Sequence, residues 1–146
     1  MTATHAGPRL SLQAEKASEL MTPNPISISA NAPVSEAITM LTERGFSAAP
    51  VIDEAGRPVG VVSQADLLVH QRERLRLEPA ETEGGDSTPV GDIMTPGVFS
   101  VAPDTSAVSV IEQLVELNVH RLFVVDRDGA LVGVVTTLDL LRHLKP

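Results

Sequence analysis

Residues 17–70 lie over residues 90–143 without a gap when the chain is displaced by 73 positions against itself. MTPNPISI at 21–28 falls on MTPGVFSV at 94–101, APVIDEAGRPVGVV at 49–62 on LFVVDRDGALVGVV at 122–135, and DLLVH at 66–70 on DLLRH at 139–143. A gapless register of this length marks an internal duplication, so the chain folds as two copies of one supersecondary unit. A copy of about 54 residues buries too little surface to be stable alone, and the two are expected to pack on each other.

Both copies predict the same order of elements. After Met-Thr-Pro, the alternation of Ile26-Ser27-Ile28, like that of Phe99-Ser100-Val101, predicts a short strand with one buried face. Val34, Ala37, Ile38 and Leu41 then fall at i, i+3, i+4 and i+7, as do Ala107, Val110, Ile111 and Leu114, and each set makes one apolar helix stripe. Gly45 and Asn118 follow at matching places, and both residue types accept the left-handed conformation of a helix C-terminal cap. A hairpin comes next, 49–53 with 58–63 and 122–126 with 131–136, turning at Glu54-Ala55-Gly56 and Arg127-Asp128-Gly129. Asp53 and Asp126 read as turn-entry residues. A second helix opens after Ser63 and after Thr136, which makes the fold class α+β, two β-α-β-β-α units.

The expected boundaries are 14–76 for the first unit and 90–146 for the second. QRERLRLE, from residue 71, can prolong a helix, whereas PAETEGGDSTP is rich in breakers and poor in apolar residues, so 77–89 reads as a flexible linker open to proteolysis. Residues 1–13 read as a loose N-terminus, with a short helix possible within 14–20. Nineteen acidic residues against eleven basic ones leave a net charge of −8, which opposes nucleic acid and anionic membrane surfaces as partners. Without cysteine there are no disulfides, thiolate nucleophiles or Cys-based metal sites. The first twenty residues hold no apolar h-region, and no apolar run approaches the roughly 18 residues of a membrane span; the expected location is the cytoplasm.

GVVSQAD at 60–66 and GVVTTLD at 133–139 carry the candidate chemistry. A hydroxyl followed three residues later by a carboxylate is the spacing of a capping box, with Ser63 or Thr136 at the N-cap and Asp66 or Asp139 at the third helical position. The same pair can also hold a ligand, and the two readings are compatible. Gly60 and Gly133 read as strand or packing glycines, because neither a P-loop nor a dinucleotide-binding glycine pattern occurs. His70 and His143 recur on the second helices without the companions a metal needs. No nucleophile with a base beside it is visible, so an enzyme is not expected.

Met-Thr-Pro before a short strand, a hairpin entered through V-[VI]-D, and G-h-h-[ST]-x-x-D opening a helix, twice in that order, resemble a tandem pair of CBS domains, the Bateman module, over about residues 14–145. The resemblance implies two pseudo-twofold-related halves with packed sheets, two clefts between them, and a homodimer of modules. It implies a regulatory, non-catalytic role: the clefts bind AMP, ADP or ATP, and the module reports ligand state to an effector protein. By position in the motif, Asp66 and Asp139 are similar to carboxylates that accept hydrogen bonds from ribose hydroxyls, and Ser63 and Thr136 to hydroxyls beside ribose and phosphate. Thr22, Thr95 and the backbone near Ile26 and Phe99 resemble the lining of a base pocket. An ionised carboxylate is acceptor-only and takes both protons of a cis-diol, while a helix N-terminus offers N–H groups to a phosphate.

The copies differ where the second reads HRLFVVD at 120–126 and the first SAAPVID at 47–53. His120 and Arg121 offer a phosphate positive charge that the first copy lacks, and Arg121 has the planar donor fork that suits it. Phe123, standing where the family often has proline, is expected to crowd the pocket of its own half. The alternative to nucleotide sensing is a ligand-free dimerisation or interaction module in which the hydroxyls and carboxylates only cap. Apolar helix positions such as Leu114 and Val115 are expected to supply exposed surface for a dimer.

Overall fold

A computed structural model describes residues 9–77 and 86–146; most of the expected linker and the first part of the expected loose N-terminus lie outside the described residues. The elements in chain order are β1 (Ser11–Leu12), α1 (Ala17–Leu20), β2 (Thr22–Pro23), β3 (Ile28–Ser29), α2 (Val34–Arg44), β4 (Ala48–Ile52), β5 (Pro58–Ser63), α3 (Gln64–Leu77), a 3-10 turn (Val90–Asp92), β6 (Thr95–Pro96), β7 (Ser100–Val101), α4 (Ala107–Leu117), β8 (Arg121–Val125), β9 (Leu131–Thr136), α5 (Thr137–Arg142) and β10 (Leu144–Lys145). They divide into a central unit, residues 26–98, and a terminal unit that joins the segment before residue 26 to residues 99–146.

Each unit has one four-stranded mixed sheet. In the central unit the order is β3-β4-β5-β6, with β3 parallel to β4 and the other pairs antiparallel. The terminal unit repeats this as β7-β8-β9-β2. The units therefore do not coincide with the sequence copies: Thr22-Pro23, which open the first copy, complete the sheet of the second, and Thr95-Pro96 complete the sheet of the first. This crossing accounts for the repeated glycine. Pro96 stands opposite Gly60, where an added Cβ would lie 2.6 Å from the Thr95 carbonyl oxygen and 2.7 Å from Met94 Sδ. Pro23 stands opposite Gly133, where a Cβ would run into the Met21 side chain. Both glycines make room for the incoming Met-Thr-Pro strand.

Three of the four stripe residues in each helix are buried, while Ile38 and Ile111 are half-buried against the same cores. Val34, Ala37 and Leu41 of α2 enter the central core with Val51, Val62 and Leu67, while Ala107, Val110 and Leu114 of α4 enter the terminal core with Leu122, Val124 and Val135. Gly45 (φ 68°) and Asn118 (φ 53°) close α2 and α4 in the left-handed conformation. At the hairpin turns Asp53 Oδ1 accepts the N–H groups of Ala55 and Arg57, each at 2.9 Å, and Asp126 Oδ1 accepts those of Asp128 and Ala130 at 2.9 and 3.0 Å. Both aspartates thus close their turns through their own side chains.

Two expectations are corrected. Leu114 is not dimer surface: it is 4% exposed, whereas Val115 is 73% exposed, because one residue along a helix turns the side chain by about 100°. The first strands are shorter than their alternation suggests, since pairing begins only where Ile28 meets Val51 and Ser100 meets Phe123. Ile28 and Val101 are buried, but Ile26 and Phe99 remain 41% and 49% exposed.

The segments beside the undescribed residues take part in the fold. Ser11 and Leu12 pair antiparallel with Lys145 and Leu144. At the far end of the expected linker, the carbonyls of Asp86 and Thr88 accept the N–H groups of Ser35 and Val34 at 3.0 and 2.8 Å. The first turn of α2 needs them, because Pro33 at its N-cap makes no side-chain cap. In α4 the cap is Ser106, whose Oγ accepts Ser109 N at 3.1 Å, and Glu15 O takes the place of Thr88 O by accepting Ala107 N at 2.9 Å. No helix among the described residues is long and apolar enough to cross a membrane.

Candidate functional site

In each unit the last strand of the hairpin runs into a helix at the hydroxyl residue, and the carboxylate three residues later folds back on it. In the terminal unit Asp139 Oδ2 accepts Thr136 N at 2.8 Å and Thr136 Oγ1 at 3.0 Å, while Thr136 Oγ1 accepts Asp139 N at 3.2 Å. In the central unit Asp66 Oδ2 accepts Ser63 N and Ser63 Oγ, both at 2.9 Å, and Ser63 Oγ accepts Asp66 N at 3.1 Å. Both pairs are capping boxes. A capping box engages one carboxylate oxygen and leaves the other for further use, and here the units part. Asp139 Oδ1 has no hydrogen-bond partner among the described residues. Asp66 Oδ1 receives the Thr95 hydroxyl at 3.2 Å, with Oδ2 at 3.4 Å from the same group.

The strand crossing decides which threonine serves which carboxylate. Thr95, on β6 opposite Val61, belongs with Ser63 and Asp66; Thr22, on β2 opposite Val134, belongs with Thr136 and Asp139. Sequence order pairs each threonine with the carboxylate of its own copy, and nothing local in the sequence signals the exchange. Both threonines are exposed.

Arg121 opens β8 directly opposite Thr136, and such cross-strand neighbours have Cβ atoms about 4.5–5.5 Å apart on one face of the sheet. It is half-buried and forms no ion pair or side-chain hydrogen bond among the described residues. At the equivalent place in the central unit, opposite Ser63, stands Ala48. The terminal unit thus has an arginine across the ladder from its hydroxyl residue where the central unit has an alanine. His120 precedes the strand with an exposed side chain, and its carbonyl accepts Thr137 N at 3.1 Å at the start of α5. Phe123 is buried and alternates with the core residues Leu122 and Val124, which puts it on Arg121's face of the sheet, where the central unit has Pro50.

The recurring histidines have separate local partners. His143 Nδ1 lies 2.8 Å from Asp139 O, and His70 Nε2 lies 2.8 Å from Asp86 Oδ2. No cluster of metal-ligating side chains occurs among the described residues. One charged residue escaped the sequence reading: Asp86 is buried among side chains of α3. Its only sequence signal is an acid in a stretch otherwise read as linker.

Known proteins share this architecture. The gamma-3 subunit of the 5'-AMP-activated protein kinase of Bos taurus is 33% identical over 77% of this chain and 22% of its own length. The chain thus spans less than a quarter of the gamma-3 kinase subunits it matches. The crystal structure of CBSX2 in complex with AMP superposes with a TM-score of 0.68 at 33% identity, covering 87% of this chain and 93% of that one. The cytosolic domain of the Mg2+ channel MgtE in complex with ATP superposes with a TM-score of 0.68 at 31% identity, covering 88% and 48%. The CBS domain family model matches twice, at residues 17–73 and 90–146, once on each sequence copy, and the chain belongs to the CBS domain family.

Proposed function

We propose that this chain is a regulatory module, not an enzyme, that binds adenosine nucleotides (AMP, ADP or ATP) and passes its ligand state to an effector protein in the cytoplasm. The carrying observation is the free oxygen of Asp139: the cap engages Oδ2 and holds the carboxylate in place, while Oδ1 is left to accept a ribose hydroxyl. The Thr136 hydroxyl lies beside it, bonded to the capped Oδ2, and Arg121 stands across the ladder from Thr136 to supply charge-assisted bonds to phosphate. Thr22 and His120 complete the terminal-unit site; Ser63, Asp66 and Thr95 make the central-unit one. The AMP and ATP complexes of CBSX2 and MgtE support this ligand class.

The two sites rank differently in this reading. The terminal unit takes the more highly charged nucleotide, because it has Arg121 and an open acceptor. The central unit takes a less charged ligand, since Ala48 offers no charge at the place of Arg121. A thermal-shift and calorimetric panel of adenosine, AMP, ADP and ATP tests the proposal: a ligand at 100 times its dissociation constant adds about 2.7 kcal/mol to the native state. No shift with any of the four, at concentrations up to millimolar, overturns it.

The second reading, a ligand-free interaction module, is favoured by the capping boxes themselves, which give both aspartates a structural role. It shares with the first a homodimer, for which Leu68, Val108, Val115 and Leu141 offer exposed apolar side chains. A groove of about 220 Å3 between α2 and α3, lined by Ile38, Leu41, Leu67 and Leu68 with Thr42 and Gln64, is where we place part of that contact. None of the candidate ligand residues lines it.

A further inference from the structure

Asp86 is the one polar or charged side chain buried among the described residues, at 5% exposure. Arg74 Nη1 lies 2.6 Å from its Oδ1, which also accepts Thr88 N at 3.1 Å. Gln71 Nε2 donates to Oδ2 at 2.8 Å, and His70 Nε2 stands 2.8 Å from the same oxygen, at ion-pair distance but without hydrogen-bond alignment. Burial raises this carboxyl, but the Arg74 guanidinium, Thr88 and the Gln71 amide outweigh it and hold the group well below the usual carboxylate range.

The three clamping side chains all come from α3, the helix whose first turn carries Asp66. The carbonyl of Asp86 meanwhile caps α2 at Ser35 N. One residue thus ties the start of α2 to the body of α3. From it the chain runs through the fully buried Val90 to Met94, packed over Gly60, and to Thr95, whose hydroxyl rests on Asp66. Among the described residues the terminal unit has no such clamp: the position 73 residues before Asp86 is Gln13, held by its N–H on His143 O at 2.8 Å, and α5 ends at Arg142.

We infer that Asp86 is a positioning residue for the central-unit site: clamped to the later turns of α3, it fixes residues 86–96 against that helix and so sets the Thr95 hydroxyl on Asp66. A neutral or shortened clamp lets the two segments shift while each keeps its backbone pairing. The inference rests on the proposed reading for its ligand consequence, whereas the clamp itself is readable without ligand.

The test uses Asp86→Asn, which keeps the shape and an acceptor for Thr88 N–H, and Gln71→Ala, which trims the clamp and leaves the carboxylate beside Arg74. Amide hydrogen exchange on the ligand-free full chain is expected to rise at residues 90–95 and in the first turn of α3, with Val51 and Val62 of the core strands unchanged. AMP titrated into an Asp139→Asn background reports the central unit; affinity there is expected to fall roughly two- to thirtyfold. The effect of Thr95→Val should shrink once Asp86 is Asn, because both act through one contact. Unchanged exchange at 90–95, or a uniform rise across the whole unit, overturns the positioning role, as do strictly additive effects of the two substitutions. If the parent binds no AMP, the functional reading falls and the exchange pattern alone decides the role of Asp86.

Discussion

Replacing Asp139 by Asn separates a helix cap from a ligand contact. In the native chain Oδ2 takes two bonds from Thr136, at 2.8 and 3.0 Å, and Oδ1 takes none among the described residues. Asn can turn its carbonyl toward Thr136 N and keep that half of the box. It forfeits the negative charge at the helix N-terminus, a loss of about 0.3–1 kcal/mol. On the ligand side the loss is larger, because the amide NH2 now occupies the place of Oδ1 and cannot accept a hydroxyl proton. A charge-assisted hydrogen bond contributes about 1.5–3 kcal/mol, so the dissociation constant should rise roughly tenfold to hundredfold. The measurement pairs urea unfolding with calorimetric titration of AMP and ATP for Asp139→Asn and Asp66→Asn. Asp139→Asn is expected to remove most of the ATP heat, since Arg121 and the open oxygen lie on its side; Asp66→Asn is expected to change it less. If both variants bind like the parent, the carboxylates are caps alone and the site assignment fails even though the fold stands.

Arg121→Ala should weaken ATP by roughly tenfold while leaving adenosine nearly unaffected, and equal losses for both would place the guanidinium away from the phosphates. Gly60→Ala should cost about 1–3 kcal/mol of unfolding free energy, because its Cβ meets the Thr95 backbone carbonyl at 2.6 Å, whereas Gly133→Ala should cost less, because the nearest atom is Met21 Sδ, at the movable end of the side chain, and Met21 Cβ is no closer than 3.1 Å. Equal costs in denaturant unfolding would contradict the proposed cause. The depressed Asp86 carboxyl contributes stability that is complete above its unfolded value of about 3.9 and drains as pH falls toward its lower folded value. Asp86→Asn should therefore flatten the stability profile below about pH 4, and an unchanged acid slope would refute the linkage. Light scattering at tens of micromolar should return two chain masses; a single mass would remove the homodimer.

Duplication, periodicity and capping were legible in the sequence because each depends on residues within a few positions of one another. A stripe at i, i+3, i+4 and i+7 has one buried solution, and Val34, Ala37 and Leu41 took it, as did Ala107, Val110 and Leu114. Ser63 with Asp66 and Thr136 with Asp139 close their boxes over three residues, while Gly45 and Asn118 take the left-handed caps that their residue types permit. Strand partnership is different in kind. Two copies of Met-Thr-Pro and two copies of Gly-Val-Val are equally compatible in sequence, so no local preference distinguishes a strand that pairs within its own copy from one that pairs with the other. Only the tertiary structure sends Thr22 to Gly133's sheet and Thr95 to Gly60's, and with that choice places the Thr95 hydroxyl on Asp66. The burial of Asp86 is likewise a tertiary outcome. An aspartate in a breaker-rich stretch reads as solvated until α3 brings an arginine and a glutamine to it, and their bonds, with that of Thr88 N–H, outweigh the cost of taking its charge out of water.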